Sequence, residues 1–536
     1  MIASRSMEWI SEKASEVAGK LVGQSQEESI VEDPFLELLE ERRSASFERY
    51  EIHNQQHVFD HWSSLSNQEK VALLDQLDEI QVEQLGNYLK IANAEKGGLQ
   101  PNGFYDLSVQ AKKPKAIKPF SGKVTSTTKD AKHLNKTCYK LGIDAIKSNK
   151  VATILLAGGQ GTRLGFNGPK GMYDIGMPSK RTLFCMVAER ILSLTKIASD
   201  DNVDKTVHIP LYIMTSPMNH EITMNYFESN DFFGLPSDDV KFFAQGTLPC
   251  LTPQGEIIME SQSQCAMAPD GNGGIYPAMK ASGVMDDMKK RGIEHIHAFA
   301  IDNALVKPAD PTFIGYCIEE KADCGNKVVW KQDPHEKVGV IAERDGQPCV
   351  IEYSELSTEM AEQSKGKMGR KKKLQFGAAN ICNHYYSISF LEDKVMPNQG
   401  KSYHLANKKI PFFDGEKKEI VSPTENNGIK LESFIFDVFP LSTNMAILEV
   451  EREVEFAPVK NPPGSSSDSP DTARNKLSAL AKSWLKNVGA IFIYKQVDLS
   501  KLEEDDEVCE ILPLTSYNGE GLTQYEGKEI ECPFSF

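Results

Sequence analysis

One stretch near residue 150 decides the fold of this chain: VATILLAGGQGTRLG, residues 151–165. Its first six residues are an apolar run typical of a buried strand, and the run leads directly into glycines. Beyond it, strand-like and helical runs alternate; strands are expected at 208–214, 240–243, 295–301 and 327–330, and helices at 218–229, 278–291 and 312–321. This alternation predicts an α/β fold with a largely parallel sheet and helices on both faces.

Length and composition limit the remaining possibilities. The chain has 536 residues, more than one hydrophobic core usually organises, so we expect a large main domain with one or two appendages. Hydrophobic residues make up 40% and charged residues 25%, which excludes collagenous, coiled-coil and wholly disordered chains. With 60 Lys and Arg against 76 Asp and Glu, the net charge is −16, so no overall positive field attracts nucleic acid or an anionic membrane. Any phosphate site must therefore be local.

The cysteines and the N-terminus indicate the cellular compartment. Ten cysteines are scattered without a C-x-x-C pair, so we expect buried free thiols rather than a zinc site or a redox dithiol. Glu8, Glu12 and Glu16 argue against a secretory signal and against an acid-poor transit peptide. No apolar run approaches the roughly 18 residues of a membrane span. The sequence therefore predicts a reducing, cytoplasmic location.

Changes in composition along the chain predict four regions. Phe35, Leu38 and Leu39 begin a helical pattern that continues to about residue 96 after a polar break at 64–68. Further helices are expected at 431–438 and 472–486, a linker at 462–470, and an exposed loop, or alternatively a nuclear-import signal, at Lys365–Lys373. We expect a poorly ordered N-terminus at 1–30, an N-terminal helical domain at 31–110, the main domain at 111–460 and a C-terminal domain at 461–536.

The glycine stretch fits neither of two common phosphate loops. A dinucleotide fingerprint needs G-x-G-x-x-G, and counting from Gly159 puts Leu164 where the third glycine should be. A Walker A loop needs a hydroxyl residue after its lysine, and Lys170 is followed by Gly171. Glycines after a buried strand still let backbone N–H groups approach a polyphosphate, and Arg163 and Lys170 add positive charge. The alternative is a tight turn with two surface cations.

The order of these residues resembles a known signature. Gly-Gly-x-Gly-Thr-Arg-Leu followed by Pro-Lys is similar to the motif of sugar-nucleotide pyrophosphorylases, and residues 155–176 resemble the eukaryotic UDP-N-acetylglucosamine pyrophosphorylases. The resemblance covers roughly residues 30–535, and other matching segments begin at Met214, Gln245, Met267, Asp302, Glu352, Asn427 and Lys460. It implies a Rossmann-like nucleotidyltransferase domain with a mixed, mainly parallel sheet, an N-terminal helical segment and a small C-terminal α+β domain.

The resemblance also implies roles for particular residues. It places the uridine nucleotide along Leu156, Ala157, Gly158, Gly159, Gln245 and Gly271. It places the N-acetylhexosamine between Asn272, Glu352, Tyr353 and Asn380. It makes Arg163, Lys170 and Lys460 the catalytic cations, Lys430 a further phosphate candidate, and Asp302 the ligand of Mg²⁺ or Mn²⁺. Asp302 also follows the strand-like run 295–301, and ligands gather at the carboxyl ends of parallel strands; a helix N-cap is the alternative.

The implied function is uridylyl transfer. UTP and N-acetyl-α-D-glucosamine 1-phosphate, or the N-acetylgalactosamine analogue, would give the UDP-sugar and pyrophosphate by direct in-line attack of the sugar phosphate on the α-phosphorus. We expect small-molecule substrates, no nucleic acid or membrane partner, and a monomer or homodimer. A UDP-glucose or UDP-galactose pyrophosphorylase and a catalytically silent sugar-nucleotide-binding regulator are the alternatives. Pro277 and the stretch Gly377-Ala378-Ala379 depart from the family pattern near the expected sugar pocket.

Overall fold

The computed structural model describes residues 34–95, 116–199, 206–365, 373–493 and 508–536. The chain divides into two compact units. The smaller unit comprises residues 1–114, 247–273 and 400–434, and the larger unit comprises residues 115–246, 274–399 and 435–536. The expected disordered N-terminus at 1–30 and residues 366–372 of the expected basic loop lie outside the described residues.

Within the described residues of the smaller unit, the first α-helices are α1 (Pro34–Glu51), α2 (Asn67–Glu79) and α3 (Val82–Glu95). α2 starts at a capping box in which the Ser66 side chain accepts a hydrogen bond from the Glu69 N–H and the Glu69 carboxylate accepts one from the Ser66 N–H. This cap is the physical reason for the polar break that the sequence shows at 64–68. The buried faces of the helices pack with apolar side chains from later in the chain, namely Leu251, Ile257, Cys265 and Leu431.

Short antiparallel strands complete the smaller unit. They are Thr247–Pro249, Met259–Ser261, Gln264–Cys265, Met267–Pro269, His404–Lys408, Phe412–Asp414, Glu419–Val421 and Gly428–Glu432. The helix expected at 431–438 is wrong, because Leu431 is a strand residue paired with Leu405 and a 3₁₀ turn follows at Ile435–Leu441. Its apolar spacing belongs to two different elements, which local periodicity cannot separate.

The larger unit is built on an eleven-stranded sheet. In chain order the strands are β1 (Ile117–Pro119), β2 (Val124–Ser126), β3 (Val151–Leu156), β4 (Leu211–Thr215), β5 (Val240–Ala244), β6 (His295–Ala300), β7 (Cys324–Trp330), β8 (Val340–Arg344), β9 (Gln347–Ile351), β10 (Ala378–Ser387) and β11 (Met445–Glu449). The order is β2-β11-β7-β10-β6-β3-β4-β5, and β8 pairs with β1, β9 and β10. Along this order only the two pairings of β10 are antiparallel. The predicted mixed, mainly parallel sheet is confirmed.

Helices cover both faces of this sheet. The longer ones are α4 (Tyr139–Lys147), α5 (Leu183–Ala198), α6 (His220–Ser229), α7 (Ile275–Ala281), α8 (Val284–Lys290), α9 (Pro311–Glu319) and α10 (Pro470–Asn487). On β3, Val151 and Leu155 join the apolar cluster that includes α5, while Ile154 and Leu156 join the cluster that includes α7 and α8. The single helix expected at 278–291 is wrong, because Gly283 has φ 75° and separates α7 from α8.

The C-terminal part of the larger unit follows α10. Strand Ile491–Ile493 pairs with Glu529–Glu531, and Cys509–Glu510 pairs with Phe534–Ser535. Other short elements are the helices Ala131–His133, Thr358–Glu362, Ile388–Phe390 and Arg452–Glu455 and the strands Ser364–Lys365 and Lys373–Leu374. Within the described ranges, no helix combines the length and the apolar character that crossing a bilayer requires.

Candidate active site

The glycine loop leaves β3 at its carboxyl end and folds back on itself. The Ala157 N–H donates to the carbonyl of Met214 on β4 at 2.7 Å, which keeps the start of the loop in line with the sheet. The Gly161 N–H donates to Gly168 O at 2.8 Å, and the Lys170 N–H donates to Gly159 O at 3.0 Å. Lys170 is therefore held beside the exposed Gly159 by a backbone hydrogen bond.

The glycines in and after this loop have different surroundings. A Cβ on Gly158 would lie 2.6 Å from Gln245 Oε1, and a Cβ on Gly171 would lie 2.2 Å from the Phe184 ring. Both glycines therefore make room for neighbouring side chains. Gly159 differs, because apart from its chain neighbours no atom of the described residues lies within 4 Å of the position of its missing Cβ.

Two further parallel strands end next to the loop. The Gln245 N–H, just beyond β5, donates to Thr215 O at the end of β4 at 2.9 Å. Asn219 is fully buried: its Nδ2 donates to Ala157 O at 3.1 Å and its Oδ1 accepts from the Ser216 N–H at 2.8 Å. Asn219 is not among the residues predicted from the sequence. The available signal was an amide residue shortly after a buried strand in a parallel sheet.

Asp302 follows β6, the other parallel neighbour of β3, so its carboxylate lies at the same edge of the sheet as the glycine loop. The Val459 N–H donates to Asp302 O at 2.8 Å, and Lys460 Nζ lies 3.9 Å from Asp302 Oδ2. The structure therefore brings together two predicted residues that are far apart in the sequence.

Asn303 anchors the segment that carries Lys460. Its buried side chain donates to Glu455 O at 2.8 Å and accepts from the Ala457 N–H at 2.9 Å. The Glu455 carboxylate accepts from buried Lys327 at 2.5 Å and pairs with Lys307 at 3.3 Å. The segment that leads to Lys460 is thus fixed by contacts of both its backbone and its side chains. This role of Asn303 is not predicted from the sequence.

The cations and the carboxylate at this edge influence one another. Burial lowers the pKa of Lys170 below its ordinary value; the Asp302 carboxylate opposes this change, and Lys460 and Arg163 reinforce it. Arg163 itself is exposed, in the 3₁₀ turn Thr162–Leu164. The site therefore concentrates three positive charges around one carboxylate, an arrangement that favours a polyanionic ligand.

Asn380 and Glu352 both lie against Gly339. The Asn380 N–H on β10 donates to Gly339 O at 2.9 Å, and a Cβ on Gly339 would lie 2.9 Å from Glu352 Oε1. Asn380 Oδ1 accepts from the Cys382 N–H at 3.1 Å and lies 3.0 Å from His384 Nε2, which fixes the orientation of the amide. The third predicted sugar residue on this unit, Tyr353, is 47% exposed.

The two departures from the family pattern have local explanations. A Cβ on Gly377 would lie 2.0 Å from Trp330 Nε1, so glycine makes room for that indole. Pro277 is exposed and lies in the first turn of α7, where proline is tolerated because the first N–H groups of a helix lack intrahelical partners.

Gly271, Asn272 and Lys430 belong to the smaller unit. Gly271 has φ 88°, and a Cβ there would lie 2.2 Å from Ser433 O. The Gly273 N–H donates to the same carbonyl at 2.9 Å. Close packing against Ser433 is thus one reason for this glycine cluster. Lys430 lies on the strand Gly428–Glu432 and is partly buried.

The acidic group of the site suits a hard divalent cation. Such cations take carboxylate oxygens, and Mg²⁺ usually takes only one or two from the protein because it shares phosphate oxygens and keeps several waters. The Asp302 side chain is 21% exposed and lies at the open edge of the sheet beside Lys460. The donor present here therefore fits Mg²⁺ or Mn²⁺.

Comparison with known proteins identifies the family of the chain. The chain is 39% identical over 492 residues to the mouse UDP-N-acetylhexosamine pyrophosphorylase-like protein 1, covering 90% of this chain and 94% of the relative. It is 40% identical over 484 residues to the UDP-N-acetylglucosamine pyrophosphorylase of Saccharomyces cerevisiae, covering 89% and 96%. The crystal structure of the Trypanosoma brucei uridine diphosphate N-acetylglucosamine pyrophosphorylase in complex with an inhibitor matches with a TM-score of 0.73 at 29% identity, covering 90% and 94%. Residues 108–468 also match the profile of the UTP–glucose-1-phosphate uridylyltransferase family, so the chain belongs to this family.

Proposed function

We propose that this enzyme joins UTP and N-acetyl-α-D-glucosamine 1-phosphate to give UDP-N-acetylglucosamine and pyrophosphate. The observation that carries the proposal is the placement of Lys170, Asp302 and Lys460 at the sheet edge that also carries the open Gly159. It is supported by relatives of nearly the same length that are named UDP-N-acetylglucosamine pyrophosphorylases.

The uridine nucleotide is proposed to lie along Leu156, Ala157, Gly158 and Gly159. The absence of a side chain at Gly159 leaves backbone open to phosphate oxygens. The Gln245 side chain occupies the space beside Gly158 that a Cβ would fill. Its amide group can both donate a hydrogen bond to a pyrimidine edge and accept one from it.

The N-acetylhexosamine is proposed to bind between Asn380 and Glu352, with Tyr353 contributing. Because Asn380 Oδ1 is occupied by the Cys382 N–H and His384, its NH₂ group is the part that can donate to a sugar hydroxyl or to the acetyl carbonyl. Glu352 would accept from sugar hydroxyls. A carboxylate beside an amide suits a neutral, hydroxyl-rich ring.

The chemistry requires placement and charge compensation more than proton transfer. The sugar phosphate is already anionic, so its oxygen can attack the α-phosphorus in line without a general base. Arg163, Lys170 and Lys460 would stabilise the charge that builds on the departing pyrophosphate. Nucleotidyltransferases of this family generally use a divalent metal ion. Mg²⁺ or Mn²⁺ held by Asp302 would neutralise phosphate charge when bound.

Cys382 is not expected to act as a nucleophile. Burial raises the pKa of its thiol to about 12, and the Asp302 carboxylate adds to the effect while Lys460 opposes it. A thiol that stays protonated near neutral pH is a poor nucleophile. The proposed direct transfer therefore does not use Cys382 as a covalent nucleophile.

Pyrophosphate release from UTP with a panel of sugar 1-phosphates tests the proposal. We expect N-acetylglucosamine or N-acetylgalactosamine 1-phosphate to give the highest kcat/KM, and comparison of these two decides the preferred hexosamine. Higher kcat/KM with glucose or galactose 1-phosphate would favour the alternative pyrophosphorylase. Binding of the UDP-sugar without metal-dependent pyrophosphate release would favour a silent regulator.

A lysine variant tests the position of the site. Lys170→Ala should lower kcat by about 10²–10³ because it removes one electrostatic stabiliser of the transition state. The control is Lys196→Ala, which removes an exposed lysine from the last turn of α5. Equal turnover of the two variants would show that the reaction takes place elsewhere.

We further propose a cytoplasmic enzyme with small-molecule substrates and no nucleic acid or membrane partner. All ten cysteines are free thiols, a state that a reducing compartment maintains. Light scattering on the purified protein would distinguish a monomer from a homodimer.

A further inference from the structure

Two helices of the larger unit cross unusually closely. A Cβ on Gly315 of α9 would lie 1.7 Å from Cys138 O, and a Cβ on Gly142 of α4 would lie 1.9 Å from Pro311 O. Backbone therefore meets backbone at this crossing, and a side chain at either glycine would clash with the other helix or the turn before it. Glu319 lies four residues beyond Gly315 on α9, so it projects from the same face towards the chain around Cys138.

The segment opposite Glu319 contains a π-helical turn, Leu134–Cys138, which joins the short helix Ala131–His133 to α4. In an α-helix, residues five apart point about 140° away from each other. The wider π-turn reduces this angle, so His133 and Cys138 can both face α9. π-turns are rare and occur frequently at functional sites.

Three ligand-type side chains meet at this point. His133 Nε2 lies 2.7 Å from Glu319 Oε2, and Cys138 Sγ lies 3.3 Å from the same oxygen. One donor atom from each residue lies within 4.8 Å of both others. Cys138 is buried, while the imidazole and the carboxylate are partly open to solvent, so an ion could enter from the surface.

We propose that His133, Cys138 and Glu319 bind a divalent transition-metal ion of the zinc type. One sulfur, one nitrogen and one oxygen ligand suit Zn²⁺ or Co²⁺ in a tetrahedral arrangement, with the fourth position left to water. On binding, the Cys138 thiol loses its proton to solvent and the sulfur becomes a thiolate ligand. The site is distinct from Asp302, where the donor is a carboxylate suited to a hard cation.

The fixed helix crossing makes the ligand set preorganised. His133 directly precedes the π-turn and Cys138 is its last residue. The position of Glu319 on α9 is fixed by the contact of Gly315 with the Cys138 carbonyl. Binding requires only that the ligand atoms separate from hydrogen-bonding distances to those around an ion. A bound ion would cross-link the π-turn to α9 and stabilise the native state in proportion to its affinity.

Cobalt titration of the full-length, metal-free protein in the presence of excess Mg²⁺ tests the proposal. We expect one equivalent of Co²⁺ to produce a thiolate-to-cobalt charge-transfer band together with tetrahedral d–d bands, and Zn²⁺ to displace it. Cys138→Ser should abolish the charge-transfer band. His133→Ala should weaken binding at least about tenfold, because even loss of a group supporting a ligand costs that much. No charge-transfer band in the parent protein would overturn the proposal.

Two control variants separate this site from general metal binding. His335 lies 3.1 Å from Glu362 and is another exposed His–Glu pair, and Cys185 is a partly buried thiol on α5. His335→Ala and Cys185→Ser should leave the cobalt spectrum unchanged. If Cys138→Ser does not fold, Glu319→Gln gives the answer: loss of the carboxylate ligand should weaken cobalt binding at least about tenfold. Cobalt binding by Glu319→Gln as tight as that of the parent protein would contradict the proposal.

Discussion

Truncation of Asn303 tests whether Lys460 must be held in place for turnover. Asn303→Ala removes three hydrogen bonds, to Glu455 O at 2.8 Å, from the Ala457 N–H at 2.9 Å and from the Leu305 N–H at 3.2 Å. Leaving a buried backbone group unpaired costs about 1–3 kcal/mol, so we expect the three groups together to cost at least about 3 kcal/mol in the free energy of unfolding. The pairing of Glu455 with Lys327 remains, so the fold should survive.

The catalytic effect of Asn303→Ala should exceed its effect on substrate binding. Misplacement of a catalytic group by about 1 Å can cost about 10²-fold in rate. We therefore expect kcat for pyrophosphate release to fall by about 10–10², with little change in the KM for UTP, at a temperature where urea titration shows the variant to be folded.

The control for this variant is Asn444→Ala. Asn444 donates to the carbonyls of Glu320 at 2.7 Å and Lys321 at 3.1 Å, and it precedes β11 at the end of that strand remote from the site. The Asn444→Ala variant should have a lower free energy of unfolding than the parent protein but an unchanged kcat. Parent-like kcat in Asn303→Ala would refute the reasoning that this side chain positions Lys460.

Three further variants follow from the geometry. Gly159→Ala should keep the parental Tm but raise the KM for UTP; a shift in its Tm would argue against an open backbone at this position. Gly171→Ala should instead lower the free energy of unfolding by about 1–3 kcal/mol, because its new methyl group overlaps the Phe184 ring. Burial lowers the pKa of His297 to about 4, so as pH falls from about 6.5 to about 4 the protein should lose about 3 kcal/mol of stability, and His297→Gln should show a shallower loss in urea titrations at each pH. Asn380→Ala should raise the KM for the sugar phosphate more than that for UTP in steady-state kinetics; equal changes would remove Asn380 from the sugar site.

The sequence predicts the part of the site that depends on local pattern. The apolar run of β3 and the glycines after it mark the loop, and the end of β6 marks Asp302, because parallel strands end at one edge of the sheet. Lys460 was assigned only by resemblance, since nothing local distinguishes it from an exposed lysine. Its contact with Asp302 arises from long-range backbone pairing that periodicity does not reveal.

Residues that act by holding backbone were missed. Asn219 and Asn303 satisfy carbonyl and N–H groups on distant segments, and an asparagine with such a role looks like any other in the sequence. The smaller unit shows the same limit: nothing in residues 34–95 indicates that segments near Leu251 and Leu431 complete their core.

The composition of that core has a consequence for biosynthesis. Helices α1 to α3 leave the ribosome long before Leu431, which is the last of the described residues, in chain order, to cover their apolar side. At about 5–20 residues per second, the wait is on the order of 20–70 s. During this time the nascent chain exposes an uncovered hydrophobic surface. Chains that end at a premature stop codon before Leu431 should therefore be targets for chaperones and proteases.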